Sequence, residues 1–111
     1  MLHEDELDFA KIYIGSHMER ATWLGKIVNF KHVNSQFGPS VVYNFVTRTG
    51  KYGCFFIKEE IPELQENVCF HFEGTVKAHR YNSYGEQYET HFNRVKIKKI
   101  LGKLIDSDDE I

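Results

Sequence analysis

Residues 67–81, Asn-Val-Cys-Phe-His-Phe-Glu-Gly-Thr-Val-Lys-Ala-His-Arg-Tyr, decide the fold. Val68, Phe70, Phe72, Val76 and Ala78 put apolar side chains on the even positions, while His71, Glu73, Thr75, Lys77 and His79 put polar ones between them. A repeat of two is the period of a strand with one face buried; a helix would need apolar residues every three or four positions. Gly74 falls on the apolar parity, where it marks a bulge or a barrel corner. Val68, Phe70, Phe72 and Val76, with Val95 and Ile97 further on, are the expected core.

Working outward, four more runs rich in β-formers appear. Thr22–Val33 is a long one, with Leu24, Val28 and Phe30 on one parity and Trp23, Gly25 and Ile27 on the other. Val41–Arg48 and Tyr52–Ile57 are joined by Thr49-Gly50-Lys51, a short hairpin connection. Gln87–Ile100 is the last, with Val95 and Ile97 directed inward and Lys96 and Lys98 outward. Asn34–Ser40 and Asn82–Glu86 have loop composition. Lys58–Glu66, interrupted by Pro62, fits a turn or short helix between the third and fourth strands. The expected class is therefore all-β: a five-stranded OB-fold, a Greek-key barrel with that turn or short helix between strands 3 and 4. An SH3-like barrel is the competitor, but its strands are usually shorter.

The chain has 111 residues, enough for one domain, and 14% of them are aromatic. The net charge of −2 conceals a segregation. Residues 1–19 carry one basic and five acidic side chains, and residues 104–111 carry four acidic ones. Residues 20–103 carry 13 basic and 7 acidic ones. This divides the chain into an acidic arm (1–19), a basic barrel (20–103) and an acidic tail (104–111). A basic body suits a polyanion. No run approaches the length of a membrane span, and the acidic start is unlike a signal peptide, so an intracellular, soluble protein is expected. Cys54 and Cys69 read as buried thiols, not as a disulfide or a zinc pair.

Single-strand binding on a barrel of this kind needs aromatic faces for stacking and cations along the backbone path. Tyr43, Arg48, Lys51 and Tyr52 on strands 2 and 3, with Lys77, Arg80, Tyr81 and Tyr84 around the second loop, are the candidate contacts. Phe45, Phe55 and Phe56 read as core instead, because Phe has no polar edge and a barrel must be filled. Which parity of strands 2 and 3 faces outward is open, since a bulge inverts it. Arg94, Lys96, Lys98, Lys99 and Lys103 form a basic stripe that reads mainly as a solvated face. No nucleophile elbow, phosphate-binding glycine loop or paired metal-ligand motif is present, so no catalysis, cofactor or metal is expected. His71, His79 and His91 lie on neighbouring strands, but a metal site needs three or four converging ligands.

With the barrel pattern of Thr22–Ile100 and the ending Asp106-Ser107-Asp108-Asp109-Glu110-Ile111, the chain resembles the single-stranded DNA-binding proteins of bacteria and phages. The resemblance implies protection of single strands in replication, recombination or repair. It also implies that Asp106, Asp108, Asp109, Glu110 and Ile111 dock on partner enzymes. The family's usual Pro-Phe ending and glycine-rich linker are missing; the short tail is closer to a phage or viral version. The partners expected are single-stranded DNA, replication or recombination proteins and, as an open alternative, a second copy of the chain; no membrane is expected. An RNA-binding OB domain and a protein-interaction barrel are the competing readings.

Overall fold

The computed structural model describes residues 13–103. The arm residues 1–12 and the whole tail, including Asp106, Asp108, Asp109, Glu110 and Ile111, lie outside the described residues. Five strands run β1 (Arg20–Ser35), β2 (Gly38–Val46), β3 (Tyr52–Ile57), β4 (Val68–Asn82) and β5 (Gln87–Lys103). They close into a barrel in the order β1-β2-β3-β5-β4, with β4 returning to β1. All pairings are antiparallel except β3 with β5. No helix among the described residues is long and apolar enough to cross a membrane.

The core is aromatic. Phe45, Phe55, Phe70, Phe72 and Phe92 surround one another with ring centroids 5.2–6.1 Å apart. These are distances at which edge-to-face and offset pairs gain beyond simple burial. Phe45 lies against two glycines: a Cβ at Gly53 would sit 2.4 Å from its Cζ, and one at Gly25 2.6 Å from its Cδ2. Only glycine lets β1 and β3 approach this ring from both sides.

Bulges decide which side chains face in. In β1, Trp23, Gly25 and Ile27 point inward until the register slips between Ile27 and Asn29; beyond it Phe30 packs on the core. Both apolar parities of that strand are thus used, one on each side of Val28. In β4, Val68, Phe70, Phe72, Gly74 and Val76 are buried as the alternation requires. The slip between Val76 and Ala78 then reverses the phase. Ala78, expected inward, instead pairs with His91 on the outer face. Val95 and Ile97 are partly buried against the core.

Between the strands, one open alternative is decided and one expected loop is shortened. The segment 58–67 is a succession of turns and not a helix. Its Leu64 is fully buried in the core, while Tyr43 Oη accepts from Ile61 N–H at 2.8 Å. Pro62 and the shortness of the segment leave no room for repeated helical bonds. The stretch 34–40 is no long loop: Ser35 pairs with Gly38, and Gln36-Phe37 alone form the turn. Residues 13–19, acidic-arm residues by composition, dock on the barrel. Ile14 enters the core and donates its N–H to Thr90 Oγ1 at 2.8 Å, and Met18 N–H donates to the Val76 carbonyl at 2.8 Å.

Candidate nucleic-acid interface

The β2–β3 register sets the outer face. Gly53 and Phe55 face the core, so alternation turns Tyr52, Cys54 and Phe56 outward. Cross-strand partners share a face, which builds two rows. One runs Asn29, Asn44, Cys54, His91, Ala78; the next runs Val46, Tyr52, Glu89, Arg80. Phe56 stands beside Val42 beyond the first row, 57% exposed.

Where β3, β5 and β4 meet, the outer face holds a cleft of about 180 Å³. Cys54 and His91 line it with Phe56, and Lys77, Arg80 and Arg94 supply three cations to the same lining. Lys77 sits at the register slip of β4, and Arg94 at a β5 irregularity with φ of +52°. The Arg94 carbonyl accepts from the Arg20 guanidinium at 3.1 Å. Two bulges thus bring to the cleft side chains that regular alternation would separate.

Glu89 and His91 belong to the same wall. Burial raises the Glu89 carboxyl. The amide groups of Gln87 and Asn82, donating to its Oε2 at 3.0 and 3.2 Å, together with His91 outweigh that and hold it below the ordinary carboxylate value. Burial lowers His91, with Arg80 and Lys77 adding to the effect against the opposing pull of Glu89. The shift favours the neutral ring, and the 3.4 Å approach of His91 to Glu89 is an ion pair only when the ring is protonated. Burial pushes the Cys54 thiol up to about 12, with Glu89 reinforcing it.

No family model, curated protein or solved structure matches this chain significantly.

The expected contacts divide. Lys77 and Arg80 meet at the cleft, and Tyr52 lies one row away, half-buried. Arg48 and Lys51 flank the β2–β3 turn at the same end. Tyr84 is fully exposed at the tip of the β4–β5 hairpin, where the Asn82 side-chain oxygen accepts from the backbone of Tyr84 and Gly85. Tyr81 does not share a face with Arg80, because neighbours on a strand point oppositely. Its ring packs on Tyr88 at 5.0 Å, on the side continuous with Thr90 and Tyr13. Tyr43 is corrected outright. It is fully buried, stacks on Phe55 at 5.5 Å and bonds through its hydroxyl to Ile61, so no base reaches its ring. Burial accordingly raises its hydroxyl above the ordinary value.

Phe56 and Arg94, not among the expected contacts, also line the cleft. For Phe56 a signal existed: Gly53 shares parity with Phe55, and a glycine within a strand marks the crowded inner side. That assignment puts Phe56 outside. For Arg94 there was none, because its placement depends on a bulge. Of the remaining stripe, Lys98 lies 3.9 Å from Glu73, which also pairs with Arg20. His71, His79 and His91 do not converge: His71 pairs with Lys99, and His79 faces the opposite side from His91.

Proposed function

We propose that the protein is an OB-fold barrel that binds single-stranded nucleic acid with little sequence preference and without catalysis. The observation that carries the reading is the exposed Phe56 ring beside a cleft lined by Lys77, Arg80 and Arg94. A flat apolar face next to converging cations suits a base and its phosphate, and every base has a face to stack. The closed order β1-β2-β3-β5-β4 supports the OB assignment. The register puts the β4–β5 hairpin beside the start of β3 and the β1–β2 turn at its far end. The nine residues of β2 between them span about 30 Å, a path suited to several nucleotides. Exposed Phe37 and Tyr84 stand at the two tips.

In this reading single-stranded DNA is the ligand, and the acidic ending Asp106–Ile111 is a tether for replication or recombination proteins that stays out of the nucleic-acid site. The test is fluorescence titration of the full chain with oligo-dT, oligo-U and duplex DNA across a salt series. Phe56→Ala should weaken oligo-dT binding roughly 5- to 150-fold, the equivalent of one stacked base. Lys77→Glu with Arg80→Glu should weaken binding to all sequences alike and reduce the salt slope by about 1.4, two single-strand phosphate contacts. Unchanged affinity in both variants removes this cleft from the path. Tighter binding to oligo-U makes RNA the ligand, and failure of the wild-type chain to bind any single strand at low salt refutes the function.

A further inference from the structure

We propose that Cys54, Glu89 and His91 form a binding site for one thiophilic divalent cation, of which zinc is the type. One ligand atom from each residue lies within 4.8 Å of the other two. A tetrahedral ion with bonds of about 2.0–2.3 Å holds its ligand atoms roughly 3.3–3.8 Å apart, so small side-chain rotations close the site. The backbone already sets the alignment. Cys54 pairs directly with His91 across the parallel β3–β5 ladder, and Glu89 lies two residues earlier on the same face.

The surroundings are those of a ligand set. Asn82 Nδ2 and Gln87 Nε2 both donate to Glu89 Oε2, which turns Oε1 toward His91 Nε2 at 3.4 Å. Such outer partners orient metal-binding carboxylates. His91 Nε2 is buried, and its polar neighbour within reach is Glu89 Oε1 at 3.4 Å. At that separation the pair makes at most a long hydrogen bond, and a cation between the two atoms would satisfy both. A thiolate, an imidazole and a carboxylate suit zinc better than magnesium or calcium, which prefer oxygen alone. With thiolate and carboxylate the loaded site carries no net charge, so Lys77, Arg80 and Arg94 around the cleft do not oppose it. The fourth position opens on the cleft, where water completes the shell.

Binding displaces the Cys54 proton to solvent, one proton for each cation, and the S–H bond is replaced by a metal–sulfur bond. A nucleophilic cysteine would need a lowered thiol value and a hydrogen-bonded base. Cys54 is shifted the other way, and its cluster is suited to coordination instead.

The test is titration of the full reduced chain with cobalt(II), followed by displacement with zinc(II). One cobalt per chain should produce a thiolate-to-metal charge-transfer band that zinc removes. Cys54→Ser should abolish the band, and Cys69→Ser, at the second buried thiol on β4, should leave it. His91→Gln and Glu89→Gln should each weaken zinc binding at least as much as the roughly 10- to 100-fold loss typical of an outer partner. Asn82→Ala should fall in that outer range. Because a cation that binds only the folded state raises its melting temperature, zinc should raise that of wild type and not that of Cys54→Ser. Circular dichroism of each variant separates lost folding from lost binding, and the Glu89→Gln variant keeps the shape if Cys54→Ser does not fold. A wild-type chain with no thiolate band overturns the proposal, as does a band that survives Cys54→Ser or zinc binding unaffected by both β5 substitutions.

Discussion

Gly53→Ala is the sharpest perturbation of the barrel. The added Cβ would meet Phe45 Cζ at 2.4 Å and its Cε atoms at 2.9 and 3.0 Å, whereas carbon atoms settle at about 3.5–4.0 Å. The ring must retreat by about 1 Å, yet Gly25 backs it on the other side, and Phe72 and Phe92 stand 5.2 and 5.8 Å from its centroid. Overpacking of this kind costs about 1–3 kcal/mol. In a domain of this size each kcal/mol lowers the melting temperature by roughly 4–8 °C. Urea unfolding, followed through Trp23 on the neighbouring strand, reads the loss directly. Phe45→Leu alone should cost less than the ~3–5 kcal/mol of full truncation. Combined with Gly53→Ala it should cost less than the two single losses together, by about 1 kcal/mol or more, because the new methyl fills the space the ring gives up. Additive single effects, or a Gly53→Ala variant within about 0.5 kcal/mol of wild type, would refute the wedge. The same wedge fixes the inward side of β3, and so keeps Cys54 and Phe56 on the outer face.

Two further outcomes follow from the titrating groups of the cleft. Burial holds His91 below its ordinary 6.5, so the unfolded chain binds a proton first as the pH falls. Its contribution is complete above about pH 6.5 and is lost on acidification toward the lower folded value. Glu89, held below 4.5, contributes stability that is lost further down, as the pH falls through its folded value. Denaturation curves at a series of pH values should show both losses, with His91→Gln flattening the upper and Glu89→Gln the lower; a midpoint that does not fall on acidification below pH 6.5 contradicts the first shift, and one that shows no further fall below pH 4.5 contradicts the second. Buried Cys69 should react with a thiol reagent only as fast as the barrel opens, whereas Cys54 at the cleft, its thiol pushed up to about 12, should react more slowly than a free cysteine at the same pH. Immediate labelling of Cys69 in the native protein shows that the strands do not pack as described.

The five strands were legible because burial on one face imposes a period of two, and β4 carries that signal through Val76 without interruption. What could not be read were the places where the period breaks. Val28 lets one strand bury Ile27 and Phe30, residues of opposite parity, and Lys77 sends Ala78 outward. A bulge adds one residue and leaves little mark in composition. Assignments at the cleft suffered most, since they depend on parity. Tyr43 reads as a surface ring and is core, while Phe56 reads as core and is exposed. Lys77 and Arg80 do line the cleft, because a bulge or a loop-flanking strand tolerates charge in either orientation. The Cys54–Glu89–His91 cluster had no sequence motif, because its members come from strands joined only by the parallel ladder.

That parallel ladder also bears on the order in which the molecule assembles. The β1–β2, β2–β3 and β4–β5 ladders join strands adjacent in sequence and can zip from their turns with little chain to close. The β3–β5 ladder unites Tyr52–Phe55 with Glu89–Phe92, and β1 meets β4 across a comparable separation. Forming these distant ladders requires a large loss of chain entropy before any contact rewards it. Barrel closure is thus the slow event, completed over milliseconds to seconds, as for other sheets dominated by distant pairings. Amide protons of the short β3–β5 ladder should gain protection last during refolding, after those of the three hairpins. The cleft, which straddles that ladder, comes into being only when the barrel shuts.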